Sequence, residues 1–184
     1  MVRGRAARLV AALAAAAFLV APAGGAGSDA PTEWDVKAAY LYNFTLFVAW
    51  PDRVNVAPDA PFVIGVLGPD PFGRVLDDTF VGKTVGVRPV VVRRLDRPES
   101  AGTVQILYLG AADDRDVARA LSAVQGKPVL TVADGDGLDR RRVMLTFRIR
   151  DSRVRFEVNL ALAEDAGLKI SSQLLKLALA VERR

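Results

Sequence analysis

The fold is organised around residues 37–51, which read KAAYLYNFTLFVAWP. Apolar side chains recur in this stretch with helical spacing. One predicted stripe holds Leu41, Phe44 and Val48, and the neighbouring stripe holds Val36, Tyr40, Asn43 and Phe47. Few polar side chains interrupt the pattern. We therefore predict a helix that is buried over most of its circumference and covered by the rest of the chain.

The two ends of this helix are also marked in the sequence. Thr32 is a good N-cap, and Asp35 follows three residues later, where a carboxylate is favourable near the positive helix end. The helix is expected to end at Trp50-Pro51, because a proline disfavours helical geometry in the residue before it.

Residues 1–26 have the layout of a secretory signal peptide. Arg3, Arg5 and Arg8 give a basic start, Leu9–Val20 is an unbroken apolar run, and small residues follow it. The apolar run is shorter than the ~20 residues that span a bilayer, so an uncleaved anchor is disfavoured. We predict an exported protein that starts after Ala23 or Ala26, with one domain over residues 27–184 and no later insertion into the membrane.

Charge and cysteine content limit the function classes. The chain has 25 basic and 21 acidic residues, and loss of the three signal-peptide arginines leaves 22 against 21. This near-neutral balance argues against nucleic acid or anionic lipid as a target. Cysteine and histidine are both absent, which excludes disulfides, thiol nucleophiles, histidine bases and most zinc sites.

The rest of the chain predicts an α/β fold with one mixed sheet and helices on both faces. Mainly apolar runs at 62–67, 104–109 and 129–132 are typical of strands buried on both sides. Helices are expected between these runs, one after an Asp70 cap with Pro71 in its first turn and one capped by Asp113 or Asp114.

Further elements complete the prediction. The β-branched stretch 84–95 predicts one strand, and Pro89 indicates an edge position. Residues 145–159 predict an antiparallel hairpin with one solvent-facing side, turning at Asp151-Ser152. Two short helices are expected to follow, at 160–166 and 171–181.

Three short motifs resemble known sites but fit them poorly. Gly82-Lys83-Thr84 lacks the earlier glycine of a phosphate loop, since Asp77 stands there. Asp134-Gly-Asp136-Gly-Leu-Asp139 misses a calcium-ligand position at Leu138. Ser172 and Lys176 are four residues apart, whereas a Ser-x-x-Lys nucleophile requires three. Ordinary surface turns and surface polarity explain all three better.

Two features of the aromatic stretch allow a binding interpretation. Asn43 could contact a ligand, although an amide satisfied by backbone is more common. An aromatic group could form a ligand cage, although a core with one exposed edge is the simpler explanation. Its members are Trp34, Tyr40, Tyr42, Phe44, Phe47 and Trp50. We assign no catalytic, cofactor-binding or metal-binding residue, and no partner-binding residue can be named.

The ordered set of motifs resembles the YfiR/HmsC-like family of periplasmic proteins. The resemblance rests on KAAYLYNF with VAWP (37–51), and on VRFEVN with AGLKISSQLL (154–175). It is strengthened by Gly82 with RPVVVRRL (88–95) and by PVLTVAD (128–134).

This resemblance implies a non-enzymatic periplasmic regulator that represses an inner-membrane diguanylate cyclase and restrains biofilm formation. The implied partner is the periplasmic portion of that membrane protein, and formation of a homodimer is left open. Better-known members carry cysteines that are thought to confer redox control, and this chain has none. Two alternatives remain: a small-ligand-binding module that serves a transporter or sensor, and a hydrolase, which the missing histidine and cysteine disfavour.

Overall fold

The computed structural model describes residues 30–51, 60–110, 113–135 and 142–183. The predicted signal peptide lies outside the described residues. Residues Pro31–Arg184 form one unit by their internal contacts. The described helices are α1 (Glu33–Phe47), α2 (Arg74–Phe80), α3 (Asp114–Val124), α4 (Leu160–Asp165), α5 (Ser172–Leu175) and a 3₁₀ helix at Pro98–Thr103.

The strands build an eight-stranded mixed sheet and a separate two-stranded sheet. They are β1 (Val48–Ala49), β2 (Phe62–Leu67), β3 (Thr84–Val85), β4 (Arg88–Leu95), β5 (Ile106–Leu109), β6 (Leu130–Asp134), β7 (Leu145–Arg150), β8 (Arg153–Asn159), β9 (Lys169–Ile170) and β10 (Ala180–Glu182). The large sheet has the order β10-β8-β7-β6-β5-β2-β4-β3, and β1 pairs with β9 in the small one. Neighbours from β7 through β4 are parallel, whereas β7 and β8 form an antiparallel hairpin.

Helices cover both faces of the sheet, as the sequence predicted. Alternate residues of a strand point to opposite faces, so each central strand contributes to two cores. In β2, Ile64 and Val66 join the core under α1, whereas Val63 and Leu67 join the core under α3. The mixed α/β class is therefore confirmed.

Helix α1 begins as predicted, and one of its two apolar stripes is more deeply buried than the other. Thr32 Oγ1 accepts a hydrogen bond from the Asp35 N–H at 3.2 Å, and Asp35 Oδ2 accepts one from the Thr32 N–H at 2.7 Å, which completes a capping box. The stripe with Leu41 and Phe44 is buried, whereas the neighbouring stripe with Asn43 is only half-buried. Tyr40 and Phe47 of that stripe still pack against the core, and after Glu33 only Ala39 and Leu46 of the helix are exposed, so α1 is at least partly buried over most of its circumference, as predicted.

The end of α1 also differs from the prediction. The helix stops at Phe47, and the next two residues become strand β1. Val48 pairs with Ile170, and the Phe47 carbonyl accepts a hydrogen bond from the Ser171 N–H at 2.9 Å. Pairing with the distant strand β9 therefore ends the helix three residues before Trp50.

Two expectations for residues 70–95 are corrected. Asp70 accepts a hydrogen bond from the Phe72 N–H at 2.9 Å, but α2 starts only at Arg74, so Pro71 precedes the helix. The predicted strand 84–95 is divided into β3 and β4 by a turn at Gly86, whose φ of +60° suits glycine. The resulting antiparallel pairing places Pro89 opposite Thr84 at the outer side of β4.

The C-terminal region departs most from the prediction. Helix α5 ends at Leu175 rather than continuing to 181, and residues 180–182 form strand β10, which pairs in parallel with β8. The hairpin is present, with Asp151 and Ser152 at φ of +50° and +58° in its turn. Its polar side is not uniformly solvent-facing, because Thr146 and Arg148 are buried.

Candidate functional site

A buried lysine lies at the edge where the parallel strands end. The Lys37 side chain is only 1% exposed, and its Nζ donates to Glu33 Oε1 and to Asp134 Oδ2. The same Nζ lies 4.3 Å from the centre of the Trp34 ring, within cation–π range. A buried ammonium is stable only when it is paired in this way, so the cluster ties the first turn of α1 to the end of β6.

Tyr108 completes the cluster from the neighbouring strand β5. Its hydroxyl donates to Asp134 Oδ2 at 3.3 Å. Burial of the phenol raises the pKa of Tyr108 well above its usual range, and the Asp134 charge adds to the effect. Tyr108 therefore remains a hydrogen-bond donor at all physiological pH values. Every polar group of the cluster has a protein partner, which favours a structural role.

A second ion cluster lies at the same edge and fixes α2. Arg94 on β4 donates to Asp70 Oδ2 at 2.8 Å, to Asp77 Oδ1 at 2.6 Å and to the Gly73 carbonyl at 2.8 Å. The hydrogen bond from Arg94 is the main cause of a lowered pKa at Asp77. This guanidinium is thus occupied by the loop and helix that follow β2.

A cleft of about 400 Å³ opens at the opposite edge, where β2 and β4 begin. Trp50 packs edge-on against Phe62 with ring centres 4.9 Å apart, and the Arg88 guanidinium carbon lies 5.7 Å from the centre of the Phe62 ring. The Arg88 guanidinium donates to the carbonyls of Ala60 and Pro61. The Trp50 Nε1 atom is buried and finds no acceptor in the described ranges.

Replacing Trp50 with alanine is expected to cost about 2–3 kcal/mol of unfolding free energy, less than a fully buried tryptophan, because its ring is half-buried. Trp50→Phe is the matched control: it keeps the contact with Phe62 and removes the unpaired N–H, so its cost is expected to stay below ~1 kcal/mol. Thermal melts of the two variants measure the difference. An unchanged melting temperature for Trp50→Ala would contradict the assignment of the ring to the core.

Another cleft of about 400 Å³ lies between the end of α3 and helix α4. Leu121, Leu162 and Met144 give it apolar walls, and Arg142 and Asp165 stand at its polar side. Both clefts are open to solvent.

The described residues of the three short motifs do not adopt the geometry of the sites that these motifs resemble. Gly82-Lys83-Thr84 forms an exposed turn that leads into β3, whereas a phosphate loop must lead into a helix. Asp134 is engaged by Lys37, while Asp136 and Asp139 lie outside the described residues. Ser172 and Lys176 are both exposed at the ends of α5. In the described ranges, no three His, Cys, Asp or Glu side chains converge as metal ligands.

The aromatic group does not form a cage. Tyr40 and Phe44 pack on Phe147 and Phe156 in the core. The other members contact separate rings: Trp34 contacts Phe72, Tyr42 contacts Phe80, and Trp50 contacts Phe62. Asn43 is half-buried, whereas the buried polar residues of α1 are Lys37 and Thr45. A lysine on the same helical stripe as Leu41 and Phe44 was the available signal, and the sequence analysis missed it.

Large apolar side chains are exposed at several points of the surface. They are Leu46, Val81, Val87, Ile149, Leu177 and Leu179. Leu177 and Leu179 lie together in the short segment between α5 and β10. Among the described helices, none has both the length and the apolar composition needed to cross a bilayer.

The protein is a small mixed α/β domain. Its charged clusters connect its own helices and strands, and its exposed apolar residues and clefts are available for contact with other molecules. A family model described as YfiR/HmsC-like matches residues 34–179. The chain therefore belongs to the YfiR/HmsC-like family, as its motifs suggested. The family is regulatory and periplasmic, and it is associated with diguanylate cyclase signalling.

Proposed function

We propose that this chain is exported through residues 1–26 and represses the periplasmic sensor portion of an inner-membrane diguanylate cyclase. The observation that carries the proposal is the family match, which spans α1 through the segment after α5. The exposed Leu177 and Leu179 support a role in protein contacts, because apolar side chains of this size gain free energy when a partner covers them.

Repression requires the chain to bind one state of its partner more tightly than the other. If the unbound cyclase were evenly divided between active and inactive states, holding about 99% of it inactive would need roughly 100-fold tighter binding to the inactive state. The absence of cysteine means that thiol oxidation in this chain cannot set that preference.

Deleting the gene is expected to raise cellular cyclic-di-GMP and thicken biofilm, because the cyclase loses its repressor. Mass spectrometry of nucleotide extracts and a biofilm assay measure the two effects. Re-expression of the whole chain should restore the wild type, whereas a chain without residues 1–26 should not. Deleting the cyclase as well should remove the effect. Unchanged cyclic-di-GMP would contradict the proposal.

A ligand-binding module is the second candidate, supported by the cleft with the unpaired Trp50 Nε1. In that case deletion would lower the uptake of some solute and leave cyclic-di-GMP unchanged. The same deletion strain therefore distinguishes the two functions.

A further inference from the structure

The β7–β8 hairpin extends past the strands that flank it. Strand β6 pairs with β7 only as far as Phe147, and β10 pairs with β8 only from Glu157 onward. Within the described part of the chain, residues Arg148–Arg155 therefore form a two-stranded ribbon without a strand on either side. We call this ribbon the hairpin arm.

One face of the hairpin arm carries arginines from both strands. The register places Arg148 opposite Arg155 and Arg150 opposite Arg153. Arg148 is neutralised by Glu157, with Nε 3.1 Å from Oε2. Arg150, Arg153 and Arg155 form no ion pair with any residue that the structure describes.

This arrangement works against the stability of the hairpin. Like charges that face each other across an antiparallel pair are destabilising, and Arg150 faces Arg153 beside the turn. Charge at a free strand edge also discourages aggregation. The turn residue Asp151 is the only acid in the arm. The exposed end of this face, at Arg150 and Arg153, therefore carries charge of one sign only, which suits an anionic partner.

We propose that the hairpin arm binds the surface of an anionic phospholipid bilayer. On this face Arg150 and Arg153 are exposed and Arg155 is half-buried, whereas Thr146 and Arg148 are buried at its base beside Glu157; none of these positions holds an apolar residue. A specific protein interface is built around a desolvated apolar centre, which this face lacks, whereas attraction to an anionic bilayer needs only charge. Guanidinium groups also form bidentate hydrogen bonds with phosphate oxygens.

The near-neutral net charge of residues 27–184 argued against attraction to anionic lipid. Net charge, however, averages over the whole domain and does not describe one part of its surface. The arm concentrates positive charge at one site, and the periplasmic location of the family gives the domain access to the inner membrane. Contact through the arm would hold the domain at the bilayer surface without inserting it. The inference does not depend on which membrane protein is the partner.

Binding of the purified domain to vesicles tests this inference. Co-sedimentation with vesicles of phosphatidylglycerol and phosphatidylcholine is expected at low salt and should weaken as salt screens the charges. The triple variant Arg150→Gln, Arg153→Gln, Arg155→Gln is expected to lose on the order of 100-fold in partition coefficient, and Arg150→Gln alone about fivefold. Vesicles of phosphatidylcholine alone should bind neither protein.

A second triple variant controls for net charge. Arg74, Arg93 and Arg97 are exposed and lie elsewhere on the domain, so replacing all three with glutamine removes the same charge and should leave vesicle binding unchanged. Equal loss in both triple variants, or no binding by the wild type, would overturn the proposal. Displacement by inorganic phosphate at constant ionic strength would identify a phosphate-ion site instead. Loss of cyclase repression by the arm variant with unaltered vesicle binding would assign the face to an acidic protein.

Discussion

Replacing Phe44 with alanine is expected to lower the unfolding free energy by about 3–5 kcal/mol. Phe44 is fully buried where α1 meets the hairpin. Its ring lies 5.9 Å from that of Phe147 in a stacked geometry and 5.5 Å from that of Phe156 in an edge-on geometry. The substitution removes both contacts and leaves a cavity, because strands on a continuous sheet cannot close inward to fill it.

Urea denaturation of the purified domain measures this cost. Leu46→Ala is the matched control, since it truncates an apolar side chain of the same helix that is 53% exposed, and its effect should stay within about 0.5 kcal/mol. In a thermal melt, Phe44→Ala should lower the midpoint by roughly 10 °C. Similar losses in the two variants would show that α1 does not pack as described.

Helix α1 could be predicted because its signals are local. The capping box of Thr32 and Asp35 lies within four residues, and the spacing of Leu41 and Phe44 marks the buried side. The same holds for the hairpin, where a two-residue turn at Asp151-Ser152 fixes the register. That register already implies that Arg150 faces Arg153, so the charged face of the hairpin arm could have been derived from the sequence.

Elements that depend on distant pairing could not be predicted. The segment 171–181 has leucines at helical spacing, but the Phe156 carbonyl accepts a hydrogen bond from the Leu179 N–H at 2.8 Å, and residues 180–182 pair with β8. Strand β10 pairs with the backbone N–H and C=O groups along the edge of β8. A helix continued to residue 181 would not form these hydrogen bonds. The same competition converts Val48-Ala49 from helix to strand, because β9 supplies its partner.

The buried ion cluster of Lys37 and Asp134 could not be predicted from the sequence for a different reason. Lysine is almost never fully buried unless it is paired, and the partner Asp134 lies 97 residues from Lys37 in sequence. In the sequence, Asp134 begins a glycine-rich acidic turn and gives no sign of its partner. Only the fold, which brings the start of α1 to the end of β6, shows that the two charges compensate each other.

Replacing Asp134 with alanine is therefore expected to destabilise the domain by about 3–5 kcal/mol, which is the cost of breaking a buried ion pair by removing one partner. Lys37 would remain buried with Glu33, whose side chain is 44% exposed, as its one carboxylate partner among the described residues. Tyr108 would lose the acceptor of its hydroxyl, which leaves a second buried polar group unsatisfied. Chemical denaturation at neutral pH measures the loss.

The double variant Lys37→Met, Asp134→Asn separates burial of an unpaired charge from loss of the contact itself. Methionine matches the length of the lysine stem and can lie against Trp34, while the asparagine oxygen can still accept from Tyr108. Because no buried charge remains unpaired, this double variant is expected to be more stable than Asp134→Ala, by about 2 kcal/mol or more. If Asp134→Ala instead cost less than about 1 kcal/mol, Glu33 alone would satisfy Lys37, and the cluster would not be what holds α1 to the sheet.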